Sequence, residues 1–259
     1  MKKTLMTLAL AATVASGSAM AWTASGAGGH IELSGKFKPA VKKTPWEVMA
    51  GSGSANLIGE VQNGQKVTEI EITKAIPILG IRTKSTDLFT GGAGFNPQID
   101  FNGDVGTDKV SKGVGELTLA VTGMDGNKIG TLKAPFTMIG VGYRKPRDGA
   151  GSVSALASYS SGKGFFGGLP KSMQHTYPID KIEATANMLI PGVSSNFSHS
   201  GAEITGYASM DFTASEYDYS AYYVSGITSD SKIQFELNAL LPSGEVEWKA
   251  SLPIVVTYS

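Results

Sequence analysis

Residues 245–258 constrain this chain more than any other stretch. Val246, Trp248, Ala250, Leu252, Ile254, Val256 and Tyr258 form an unbroken apolar file, opposite Glu245, Glu247, Lys249 and Ser251. Alternation at every second residue is the signature of a strand with one buried face. Pro253 lies inside the file, and proline cannot donate to a ladder, so the strand is expected at an edge or with a bulge. Yet the file is too apolar for an edge left bare, because such an edge templates aggregation. With the sequence ending at Ser259, something from outside this fold is expected to cover it.

The same alternation recurs upstream. Ile233, Phe235, Leu237 and Ala239 alternate with Gln234, Glu236 and Asn238, and Pro242-Ser243-Gly244 offers a turn, so the two runs are expected to pair as a hairpin. Asn63-Gly64 lies between residues 57–61 and 67–72, and Asp125-Gly126 between 117–121 and 129–132. Both dipeptides accept the positive φ angles that tight hairpin turns demand. Long helical periodicity is nearly absent, and glycine accounts for 33 of 259 residues, about twice its usual share. These features predict an all-β sandwich or barrel. Residues 149–200 read differently: they are rich in Ser and Gly, then offer a helix with Asp180 and Glu183 as a capping box, Ile182 and Leu189 as apolar positions and Pro191-Gly192 as its end. We expect an insertion on the β core; a disordered linker is the other reading.

The first residues carry an export signal. Lys2 and Lys3 precede an apolar run over 5–15, and Ala19-Met20-Ala21 supplies small residues for cleavage, which sets the signal at 1–21. The run is far shorter than the roughly 20 residues a membrane span needs. Behind it, residues 22–38 place Ala27, Gly29, Ile31, Leu33, Gly35 and Phe37 on one face, with Gly28, His30, Glu32, Ser34 and Lys36 on the other. So many glycines make a poor strand alone. Such a segment suits another molecule's groove; folding back to close its own sandwich is the alternative the residues leave open.

Chemistry is conspicuous by what fails. Lys+Arg 22 against Asp+Glu 22 gives no basic face for nucleic acid. With no Cys there are no disulfides, thiolate metal sites or thiol nucleophiles. Asp100-Phe101-Asn102-Gly103-Asp104 opens like a calcium loop, but Val105 and Ser111 stand where glycine and glutamate are required, so a turn is expected. Ser160-Ser161-Gly162-Lys163 and Ser229-Asp230-Ser231-Lys232 match Ser-x-x-Lys without the partner motifs of a serine acylase. His30, His175 and His199 lack metal-ligand spacing. No enzyme, cofactor or metal site is expected.

The two ends, taken with the order of Ile76-Pro77-Ile78-Leu79-Gly80, Arg82-Thr83-Lys84, Pro97-Gln98-Ile99, Phe165-Phe166-Gly167-Gly168-Leu169, Ser220-Ala221-Tyr222, Phe235, Asn238 and Val256-Thr257-Tyr258, carry a resemblance. Over most of its length the chain resembles chaperone–usher fimbrial subunits, most closely the kappa-class, K-88-type pilins of enterotoxigenic enterobacteria, and points to a minor subunit. The resemblance implies an incomplete immunoglobulin-like β-sandwich that lacks its last strand, spanning 39–259 with the insertion at about 149–200. It implies that a periplasmic chaperone first lends the missing strand, that an outer-membrane usher exports the subunit, and that the extension 22–38 of another subunit then fills the gap. Ala27, Gly29, Ile31, Leu33, Gly35 and Phe37 would be the donor residues. Leu252, Ile254, Val256 and Tyr258 would line the acceptor groove, with Tyr258 matching the chaperone-recognition ending. The product would be a fimbrium on the cell surface that supports adhesion. A second reading is an adhesin binding host glycoconjugates through the insertion, with Tyr159, Phe165, Phe166 and Tyr177 as candidate glycan contacts.

Overall fold

A computed structural model describes residues 43–259 apart from 55, 56 and 243. Among these, strands β1 (Trp46–Ala50), β2 (Val67–Ile72), β3 (Ile76–Thr83), β4 (Phe89–Thr90), β5 (Pro97–Asp100), β6 (Val105–Ser111), β7 (Val114–Gly123), β8 (Lys128–Pro146) and β9 (Ser152–Leu156) precede the single α-helix, α1 (Ile182–Leu189). β10 (Ile204–Ala208), β11 (Tyr217–Ile227), β12 (Ser231–Leu237), β13 (Trp248–Ala250) and β14 (Val255–Tyr258) follow it. The fold is an all-β sandwich. One large mixed sheet runs β1-β3-β11-β8-β12-β2, with the remaining strands branching from it, and β14 pairs with β5 in a separate two-stranded sheet.

The 19-residue strand β8 organises the sandwich. Its first half lies between β7 and β12; its second half lies between β9 and β11. β11 and β12 run antiparallel along one edge of β8, from Tyr217 opposite Pro146 to Leu237 opposite Gly130, but loop away around 228–230. Pro135 supplies the reason. The Met138 N–H donates to the Gly113 carbonyl at 2.8 Å on the β7 side. Alternation then assigns the N–H that Pro135 lacks to the edge facing β11 and β12, and the ladder breaks there.

Both faces of the second half of β8 are buried. Leu132, Ala134, Phe136 and Met138 face the sandwich core, together with Leu79, Ile81, Tyr219 and Tyr223. Ile139, Val141 and Tyr143 face the other way, into a second cluster with Val153, Ala155, Tyr222 and Val224. The helix closes that second cluster with Ile182, Ala186 and Leu189, spaced one face of a helix apart. Residues 149–200 are therefore ordered: β9 and α1 cover the outer face of the sheet, while Leu156, Phe165 and Leu169 join the main core.

Several local expectations need correction. β12 and β13 do not form a hairpin: β12 has β8 and β2 on its two edges, whereas β13 pairs with β7. The two apolar runs meet instead through side chains, with Phe235 and Trp248 rings edge to face at 4.7 Å. Asn63-Gly64 is a turn, with Gly64 at φ 81°, but residues 57–61 join no ladder. The Asp125-Gly126 turn does join two paired strands, β7 and β8. No capping box forms on α1. Asp180 belongs to a 3-10 turn (Ile179–Lys181), and the N-cap residue is Lys181, which makes no side-chain cap.

Candidate functional site: the C-terminal strand and its groove

The C-terminal run divides at Pro253. β13 lies against β7 in the large sheet, Trp248 opposite Gly123. Residues 251–254 pair with nothing as strand, and β14 then joins β5, Val255 opposite Asp100 and Tyr258 opposite Pro97. A missing N–H at the crossover costs no ladder bond, which is where a sheet tolerates proline.

Side chains along the run alternate as the sequence predicts, but the inner face is only half buried. Trp248, Ala250, Leu252, Ile254, Val256 and Tyr258 all pack against the core cluster while keeping part of their surface open; Ser251, Pro253, Val255 and Thr257 are exposed. Leu57, Ile78, Phe89 and Phe95 are half-buried against the same core. Burial pushes the Tyr258 phenol above its ordinary value, against a lowering hydrogen bond to the Thr44 side chain.

The main chain of β14 is equally one-sided. Asn96 and Ser259 exchange both backbone hydrogen bonds, at 3.2 and 3.0 Å. With this register, antiparallel geometry points the N–H and C=O groups of Val255 and Thr257 at β5 as well. Those of Val256 and Tyr258 point to the opposite edge, which carries no ladder among the described residues. Pro97 sits opposite Tyr258, at a pair where no bond to β14 is required.

The other edge of β5 is occupied. The Ile99 N–H donates to the Phe166 carbonyl at 2.8 Å, and Gln98 and Phe166 form a parallel bridge. The Gln98 side chain donates to the Lys163 carbonyl at 2.8 Å and accepts from the Gly162 N–H at 3.0 Å. Asn96, only 1% exposed, donates to the Gly162 carbonyl at 2.6 Å and to Asp211 at 2.9 Å, and accepts from the Phe212 N–H at 2.8 Å. Burial would raise the Asp211 carboxyl, but hydrogen bonds from Thr213, Asn96 and Lys163 outweigh it and hold the group well below the usual carboxylate range.

The expected site residues are distributed unevenly. Leu252, Ile254, Val256 and Tyr258 share one face. Ala27, Gly29, Ile31, Leu33, Gly35 and Phe37 lie outside the described residues, as does the signal at 1–21. The four candidate glycan contacts differ in exposure. Phe165 is 0% exposed, its ring stacked on Tyr223 at 5.7 Å and edge to face with Trp46 and Phe212. Tyr177 is half-buried, its hydroxyl bonded to Thr185 at 3.1 Å, and Phe166 is half-buried beside β5; Tyr159 alone is exposed, at 55%. The Ser-x-x-Lys fragments are turns whose lysines pair with Asp211 and Glu69, and 101–103 is a turn with Asn102 and Gly103 at positive φ. Gln98, Asn96 and Asp211 escaped the sequence reading because more than a hundred residues separate Asn96 from Asp211, and no spacing rule links them.

Among the described residues β14 is thus an apolar strand with a ladder on one edge only. The family described as "Fimbrial, major and minor subunit" matches residues 1–259, and the chain belongs to it. It is similar to the K88 fimbrial proteins AC, AD and AB of Escherichia coli, each 27% identical over 286 aligned positions that cover the whole of both chains. The chain is thus a K88-type fimbrial subunit, and its family implies a surface fimbria and assembly with other fimbrial subunits.

Proposed function

We propose that this subunit polymerises by donor-strand exchange, adding the 22–38 segment of a neighbour to the open edge of its C-terminal strand. The observation that carries the reading is the combination on β14: main-chain groups of Val256 and Tyr258 aimed at an edge that has no ladder among the described residues, above an apolar file that these residues leave half open. A strand laid there would pair those groups and cover the file in one step. Burial of Ile31, Leu33 and Phe37 would contribute on the order of 1.5–3 kcal/mol each. Gly29, Gly35 and Ala27 would let the donor approach the sheet closely. Donor and acceptor would come from different segments of the sequence, so the contact would be heterologous and its repetition would give an open filament.

Removal of the signal at 1–21 would free the donor segment. Before assembly the bare file would be an aggregation hazard, which favours a periplasmic chaperone on the same edge until an outer-membrane usher passes the subunit on. The assembled fimbrium would serve adhesion. Deleting 22–38 tests the reading: the truncated subunit is expected to bind chaperone and act as an acceptor but to donate to no neighbour. Long filaments from the truncated form alone would overturn it.

A further inference from the structure

We infer that residues 160–168 are a positioning element for the subunit joint, holding β5 from the side opposite β14 so that the groove strand keeps its place when pulled. This inference rests on the strand-addition reading above. β5 is only four residues long, too short to be firm as one half of a two-stranded ribbon. Its second edge is clamped by the Ile99–Phe166 backbone bond and by the two-point grip of the Gln98 amide on Gly162 and Lys163. From the same segment, Lys163 reaches Asp211 at 3.1 Å, and Asp211 in turn is bonded to Asn96, whose backbone holds Ser259. A continuous path of hydrogen bonds thus runs from the 160–168 loop to Ser259, the residue that follows β14.

The loop is shaped for this contact at a conformational cost. Phe165 takes a positive φ of 58°, a conformation that in a non-glycine residue persists only where surrounding structure enforces it, whereas Gly167 at 84° adopts one that glycine takes freely. A Cβ on Gly167 would collide with the Ile99 carbonyl oxygen, and one on Gly168 would strike the Ile99 and Tyr223 side chains. The two glycines are what lets the loop lie against β5. Phe165 extends the grip to the other side of the sandwich by packing on Trp46 of β1. Further along the same covering segment, Arg82 of β3 donates to the Gly192 carbonyl at 2.6 Å and Asn196 to the Thr83 carbonyl at 3.0 Å. The region 149–200 therefore braces β5 and the β1–β3 pair together.

The Gln98 backbone pairs with Thr257 of β14 while its side chain bonds to Lys163 and Gly162 of the loop, so truncating the side chain loosens the hold on β5 and leaves the ladder groups in place. The test uses fimbriae assembled from the full chain, with wild type compared with Gln98→Ala and Gly167→Ala. Subunit release is timed in a fixed denaturant concentration, and amide exchange is followed in the same fibres. Removing the two side-chain hydrogen bonds that Gln98 makes to the loop is expected to speed release about tenfold. Protection should fall at Val255 and Thr257 and remain unchanged at Leu119 and Leu132 in β7 and β8. Gly167→Ala should act in the same direction and more strongly; if it fails to fold, Gln98→Ala decides alone. An unchanged release rate in Gln98→Ala, or a loss of protection spread evenly over the sandwich, overturns the inference. The companion deletion of 22–38 separates the two ideas. Filaments formed without the segment refute strand addition itself, whereas their absence alongside unchanged Gln98→Ala kinetics refutes only the brace.

Discussion

The second half of β8 and the C-terminal file are written in the same alternation, yet they end in opposite conditions. Ile139, Val141 and Tyr143 project from β8 into a cluster that α1 and β9 complete within the chain. Leu252, Ile254, Val256 and Tyr258 project from the final strand towards the main core and stay half open. Residue type does not distinguish them. What differs is that β9 and α1, within 149–200, cover the first face, while none of the described residues closes the second. The contrast teaches that the same alternation is completed within the described residues on one face and left half open by them on another.

Substitutions on the two surfaces should break that symmetry in opposite ways. Ile139→Ala is expected to cost about 2–5 kcal/mol of subunit stability in denaturant unfolding, because it opens a cavity between sheet and helix. Ile254→Ala should cost the free subunit much less, about 1 kcal/mol, since the side chain already meets water on one side. In the fibre the order should change: Ile254→Ala should speed subunit release, and Ile139→Ala should leave release almost untouched. Equal effects of both variants in both assays would mean that the two faces are equally complete.

The smallest effect is electrostatic and sharpens the link between the loops and the groove. Asp211 has its carboxyl lowered by hydrogen bonds in the folded state, so the folded form binds fewer protons than the unfolded one. Its contribution is present above the ordinary Asp value of about 4 and is lost as the pH falls below it through the lowered folded value. Because the Asp211 side chain is more than a third exposed, solvent screens this term. A pH titration of stability should show an acid limb in wild type that is shallower in Asp211→Asn.

Much of this was legible beforehand, for physical reasons. The period of two reports burial directly, so the half-buried faces of β7, β12 and the final run follow from side-chain pattern alone. Asp125-Gly126 announced the β7–β8 turn, whereas Pro253 suggested an edge or a bulge in one strand and instead divides the run between two sheets. Partnership was less legible. Phe235 and Trp248 sit on runs joined by a turn sequence, yet β8 and β2 take the edges of β12, because pattern specifies a face and not a neighbour. The motif over 165–169 was visible only as a likeness. Its physics, a buried ring followed by two glycines pressed against Ile99, appears only once the loop and β5 are side by side.

Cysteine chemistry offers the most direct test, because the chain has no native cysteine to confuse it. Single cysteines at positions 29, 31 or 33 are combined with one at 254 or 256, and purified fimbriae are oxidised and run under non-reducing denaturing conditions. Strand addition between subunits predicts a ladder of covalent multimers for the pairs in register, and monomers again after reduction. Disulfides formed only within single subunits, with no ladder from any pair, would contradict the account.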